Sequence, residues 1–139
     1  MYVLDTNILI YFFKGLAGVP QKLMSVSPKD IGIPAVVIYE LEYGITKSSS
    51  PKKRQQQLAE LCSLVNVMPF GREEARLTAD IKARLEKKGT PIGPYDLLIA
   101  GTAVSNNAVL VTNNVKEFSR VPKLQIENWF QEPVGLGRS

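Results

Sequence analysis

Five short apolar runs punctuate this chain: YVL (residues 2–4), IGIPA (31–35), VNVMPF (65–70), AVLV (108–111) and LQI (124–126). They are too short for helices, and the strongest of them is apolar at consecutive rather than alternating positions. That pattern suits strands buried on both faces, as in parallel sheets covered by helices on each side. The segments between them supply such helices. They are expected at 8–13, 21–26, 34–47, 56–64, 73–88 and 95–107. The clearest carries Leu77, Ile81 and Leu85 at four-residue spacing and ends before Gly89. GLAGVP (15–20), SSSPKK (48–53) and GTPIGP (89–94) read as breaks or loops. The expected architecture is α/β, a parallel sheet covered by helices on both faces. At 139 residues the chain suits one domain, expected over 1–131, with a flexible tail at 132–139.

In sheets of this kind, ligands bind beyond the carboxyl ends of the strands. Asp5 directly follows the first run, and Thr112, Asn113 and Asn114 directly follow AVLV. Both segments therefore belong to one edge. A carboxylate at the border of a core is costly unless something pairs with it.

The chain contains no histidine and one cysteine, Cys62. That excludes Ser-His-Asp and Cys-His catalysis, the usual tetrahedral zinc sites and an internal disulfide. Any catalysis must rest on carboxylates with a hard metal ion, or on Lys, Tyr or Ser. No apolar run approaches the ~20 residues of a membrane span, and the N-terminus lacks a signal-peptide pattern. A cytoplasmic location is expected. The net charge of +4 is compatible with a polyanionic partner and equally with a solubilising surface.

Three further acids are candidates to join Asp5. Asp96 falls in the first turn of YDLLIAGTAV, where it would also serve as a helix-dipole partner. Glu40 and Glu42 flank opposite edges of an apolar helical arc, and periodicity does not choose between them. Asp5 itself would also cap the helix that follows it. Several acids on one edge without histidine suit Mg²⁺ or Mn²⁺, which prefer oxygen ligands near octahedral geometry.

The segments YVLDTN, YELEYG, GTPIGPYDLLIA and LVTNNVKEF, in this order, resemble the PIN-domain ribonucleases, specifically the VapC toxins of bacterial toxin–antitoxin pairs. The resemblance runs from residue 2 to about Trp129. It implies a PIN-like three-layer sandwich, with a mostly parallel five-stranded sheet and helices on both faces, and metal-dependent RNA cleavage. It matches Asp5, Glu40 and Asp96 to the family's catalytic, metal-holding acids, and so prefers Glu40 to Glu42. Many members carry a fourth acid where this chain has Asn114. Glu117, three residues on, would compensate in part if its loop turns inward. Thr6 and Thr112 offer hydroxyls to orient ligands or water, and Asn7 could hold Asp5 from behind.

The implied reaction is hydrolysis of an RNA phosphodiester by water, with Mg²⁺ or Mn²⁺ on Asp5, Asp96 and Glu40. Its products would carry 5′-phosphate and 3′-hydroxyl. Structured RNA such as transfer RNA is the implied substrate, with Lys14, Lys47, Lys52, Lys53 and Arg54 in or near loops that could flank the acids. The implied partners are a small VapB-like antitoxin covering the active site and a second copy in a homodimer. Leu9, Tyr11, Phe12 and Phe13 add apolar surface on more than one face of the first helix. Two alternatives are a non-catalytic module of the same fold and an aspartyl-phosphate phosphatase. The phosphatase would need an aspartate where Asn7 stands.

Overall fold

A computed structural model describes residues 1–132 of the chain. Its strands are β1 (Tyr2–Leu4), β2 (Ile31–Pro34), β3 (Asn66–Met68), β4 (Val109–Val111) and β5 (Gln125–Glu127). They form one sheet in the order β3-β2-β1-β4-β5, and all four pairings are parallel. The expectation of a mostly parallel sheet is thus sharpened to a wholly parallel one. Among the described residues, seven α-helices connect the strands: α1 (Thr6–Lys14), α2 (Val19–Met24), α3 (Ala35–Thr46), α4 (Pro51–Leu64), α5 (Arg72–Lys87), α6 (Pro94–Ser105) and α7 (Val115–Phe118). A 3₁₀ turn at Pro28–Asp30 leads into β2.

The central strands explain the unbroken apolar runs. Val3, Leu4, Ile31, Ile33, Leu110 and Val111 are all buried, on whichever face they point. The chain builds outward from β1 through β2 to β3, then crosses back to place β4 on the other side of β1. The switch in direction opens a crevice at the carboxyl ends of β1 and β4, the usual ligand position in open parallel sheets. Asp5 and Thr112 stand there.

Two helix starts and one short helix depart most from expectation. Helix α4 begins at Pro51 rather than Gln56, so the segment read as a polar loop is its first turn. Proline at the first helical position loses no hydrogen bond and suits a start. Lys52, Lys53 and Arg54 therefore sit on a helix and not in a loop. Helix α2 likewise begins at Val19, with Pro20 in its first turn. Helix α7 was not expected, because four residues are too few to show a period. The tail expected at 132–139 lies outside the described residues except for Glu132.

Helices α5 and α6 pack closely, and this contact sets the position of α6. A Cβ on Gly101 would collide with the Thr78 side chain of α5. The Thr78 hydroxyl is buried against it without a hydrogen-bond partner. Gly101→Ala is expected to destabilise the protein by about 1–3 kcal/mol through overpacking. Thermal denaturation tests this, and an unchanged midpoint would show that the helices separate freely. No helix among the described residues is long and apolar enough to cross a membrane.

Candidate active site

Asp5 is the last extended residue after β1, and its backbone N–H donates to Val111 O of β4 at 3.0 Å. Only 6% of its surface is exposed. Oδ1 accepts from the Thr6 N–H at 2.8 Å, capping α1, and Oδ2 accepts from Thr112 Oγ1 at 2.7 Å. Capping and site placement therefore coincide in one residue. Burial pushes the Asp5 carboxyl above the usual range, with a smaller contribution from Glu117, and the two hydrogen bonds oppose this.

Thr112 is fully buried. Its hydroxyl donates to Asp5 and accepts from the Asn114 N–H at 2.9 Å. Thr6 does the same for the next acid: its hydroxyl donates to Glu40 Oε1 at 2.8 Å, from α1 across to α3. Glu42 is exposed and accepts from Gln55 Nε2 at 3.3 Å, on the side of α4. The Thr6 bond thus places Glu40 at the edge, where periodicity could not choose. Glu42→Gln is expected to change any activity of this edge less than twofold, within the small effects usual for exposed substitutions. A loss equal to that of Glu40→Gln would reverse the assignment.

Asp96 is the third residue of α6, after Gly93 and Pro94 turn the chain. Its carboxyl has no hydrogen-bond partner among the described residues. It is pushed up to about 6, by burial first and then by the charges of Asp5, Glu117 and Glu40. The acids of four separate segments are therefore close enough to act on one another. The two ion pairs of the described residues, Arg76–Glu73 and Arg84–Asp80, lie on the exposed face of α5 and leave these acids unpaired.

Glu117 is the fourth carboxylate. Helix α7 turns it toward the edge, where Oε1 accepts from the Gly93 N–H at 3.1 Å and Oε2 from Asn114 Nδ2 at 2.9 Å. These bonds, Asn114's first, hold its carboxyl below the usual range. They also tie the segment after β4 to the start of α6, just ahead of Asp96. Asn114 hence orients an acid in place of supplying one. Asn7 is exposed and makes no side-chain hydrogen bond among the described residues, so it does not hold Asp5. The Thr6 backbone N–H and the Thr112 hydroxyl do that work, while the Thr6 hydroxyl serves Glu40.

The donor set consists of carboxylates and hydroxyls, the chemistry preferred by hard divalent cations. Among the described residues, no three carboxyl groups converge closely enough to ligate one ion as they stand. That spread suits Mg²⁺, which is commonly held by one or two carboxylates and keeps several waters.

The chain is similar to known proteins over most of its length. The family model described as PIN domain matches residues 2–124. A tRNA(fMet)-specific endonuclease VapC of Salmonella typhimurium is 36% identical over 128 residues, covering 92% of this chain and 97% of the relative. Ribonuclease VapC2 of Rickettsia felis is 37% identical over 131 residues, covering 93% and 98%. Among solved structures, VapBC2 from Rickettsia felis bound to a promoter DNA fragment matches with a TM-score of 0.85 at 38% identity, covering 92% of this chain and 98% of that one.

Proposed function

This chain belongs to the PIN-domain family, and on that premise we propose that it is a divalent-metal-dependent endoribonuclease acting as the toxin of a VapBC-type toxin–antitoxin pair. The observation that carries the reading is the cluster of Asp5, Glu40, Asp96 and Glu117 at the switch point, none of which forms an ion pair among the described residues, Arg120 acting on Glu117 only from a distance. Asp5 and Asp96 would hold Mg²⁺ or Mn²⁺, with Glu40 beside them. Such an ion supplies activation of water and neutralisation of charge on phosphoryl oxygens. Thr112 and the Thr6 N–H fix the Asp5 carboxylate, and Thr6 Oγ1 fixes one oxygen of Glu40. Glu40 Oε2 is left to accept a proton from the attacking water. The water oxygen bonds to phosphorus as the bond to the 3′-oxygen breaks, and the departing oxygen takes a proton from solvent, leaving 5′-phosphate and 3′-hydroxyl ends. Related toxins carry names that specify transfer RNA, and structured RNA is the substrate class proposed here.

The proposed protein partner is a VapB-like antitoxin whose segment crosses the acidic edge, where a guanidinium would pair with carboxylates. Apolar surface supports a protein partner. Phe12, Phe13 and Leu23 line a groove rimmed by Met24 and Leu64, which are 74% and 65% exposed. A homodimer is also proposed, and light scattering at micromolar concentration checks it: a monomer would refute it.

Incubation with bulk transfer RNA, with and without EDTA, tests the function. Cleavage should require Mg²⁺ or Mn²⁺ and stop in EDTA. Cleavage that persists in EDTA would sink the mechanism, and no cleavage under any metal would favour the non-catalytic alternative. Asn114→Asp should raise Mn²⁺ affinity by about tenfold, because ligand charge count tunes such sites. Calorimetric titration measures it, and unchanged affinity would place that side chain outside the cation's reach.

A further inference from the structure

Beside the acids, α1, α3 and α4 enclose a cavity of about 380 Å³, within the size range of small-ligand sites. Glu40 is part of its wall. Ile10, Phe13, Leu41 and Ile45 make the rest of that wall largely apolar. Lys14, the last residue of α1, and Arg54, in the first turn of α4, add two cations. Arg54 is already fixed: its Nη1 donates to Phe13 O at 3.1 Å and to Gln57 Oε1 at 2.8 Å.

Gly44 makes the cavity informative. It lies inside α3, where glycine costs about 0.5–1 kcal/mol relative to alanine. Neither usual reason for a glycine applies. Its φ is not in the left-handed region, and a Cβ built on it meets nothing within 4 Å. What a side chain at 44 would do is reach into the open space that Gly44 lines.

We propose that this cavity is a nucleotide subsite, kept open by Gly44, that seats the base and phosphate of the RNA residue next to the scissile bond. The proposal rests on the ribonuclease reading and deepens it. The acids and their cation address the reacting phosphate, and an adjacent nucleotide must lie beside them. A nucleotide brings both matching features at one-residue spacing: a flat base for the apolar wall and a phosphate for Lys14 and Arg54. Single-stranded RNA is commonly gripped through such pairs of stacking and cationic contacts. A peptide segment would offer the cations neutral carbonyl oxygens or a carboxylate, and would bring no flat base to the apolar wall at the same spacing.

The test compares the parent with Gly44→Leu, Lys14→Gln and Arg54→Gln in cleavage of pooled transfer RNA. Binding of a short fluorescein-labelled single-stranded RNA in EDTA is followed in parallel. Gly44→Leu should unfold at or above the parent temperature, since leucine favours the helix. Its KM and Kd should rise about tenfold, the scale of one lost base contact, with a smaller change in kcat. Its salt dependence should be unchanged. Each cation variant should lower the slope of log affinity against log salt by about 0.7, as expected for one phosphate contact to a single strand. Unchanged KM and Kd in folded Gly44→Leu would overturn the subsite and assign the cavity to a protein segment. Failure of the parent to cleave RNA at all would instead refute the ribonuclease reading.

Discussion

Asp96→Asn is expected to reduce RNA cleavage about a thousandfold or more, since a metal-held carboxylate supports several kcal/mol of charge stabilisation. The same change should stabilise the metal-free protein at neutral pH. The Asp96 carboxyl titrates near 6 in the folded chain, against 3.8 unperturbed. Its charged form is therefore disfavoured by folding. That penalty is full above about 6, shrinks as the pH falls toward 3.8, and is absent below. The metal-free protein should thus gain stability on acidification from pH 7 to about pH 4.5. After discounting for partial exposure, the gain from Asp96 is on the order of 1–2 kcal/mol. Asp5 is shifted in the same direction, by burial first. Asp96→Asn should remove its own share of the gain, which thermal unfolding in EDTA across this window measures. A flat profile in the parent would mean that these carboxylates do not crowd one another. Asp5→Asn should lose as much activity without the same increase in stability. Asp5 accepts two hydrogen bonds in the fold, and an amide would turn one donor toward a donor.

This contrast between two acids of one site also marks what was legible in the sequence. Strands written as unbroken apolar runs announce a parallel sheet, and Asp5 at the end of the first run locates the working edge. Asp96 is legible for the same reason, because Gly93 and Pro94 announce the helix start that carries it. Glu40 is not legible from periodicity. What places it is a hydrogen bond from Thr6, 34 residues earlier, and no local pattern encodes a contact that distant. Glu117 is hidden by the brevity of α7, and its orientation depends on a backbone N–H at Gly93 in another segment. The role of Arg54 is obscured because serine, proline and lysine resemble a loop until the proline is recognised as the first residue of α4. Chemistry could be read where it coincides with an element boundary. It could not where tertiary contacts alone bring the residues together.

Thr112 is such a tertiary residue, and its hydroxyl should matter more than its size. Thr112→Val keeps most of the volume but removes the donor to Asp5 Oδ2 and the acceptor of the Asn114 N–H. Each buried group left unpaired costs about 1–3 kcal/mol. The Asp5 carboxyl, already raised by burial, would rise further once a hydrogen bond to its charged form is lost. Metal ligands whose supporting partner is deleted typically lose about 10–100-fold in affinity or activity. Thr112→Val is therefore expected to weaken Mn²⁺ binding and RNA cleavage by that factor, and more strongly toward acidic pH, where the raised Asp5 carboxyl holds its proton against the ion. Thr112→Ser restores the hydroxyl and should recover most of the affinity, although it removes a methyl group from the core. Calorimetric titration of parent, valine and serine variants at two pH values separates these effects. A valine variant that folds and binds Mn²⁺ like the parent would show that Asp5 needs no support from β4. Loss shared equally by valine and serine would point to packing, since the serine variant retains the hydrogen bond and lacks only the methyl.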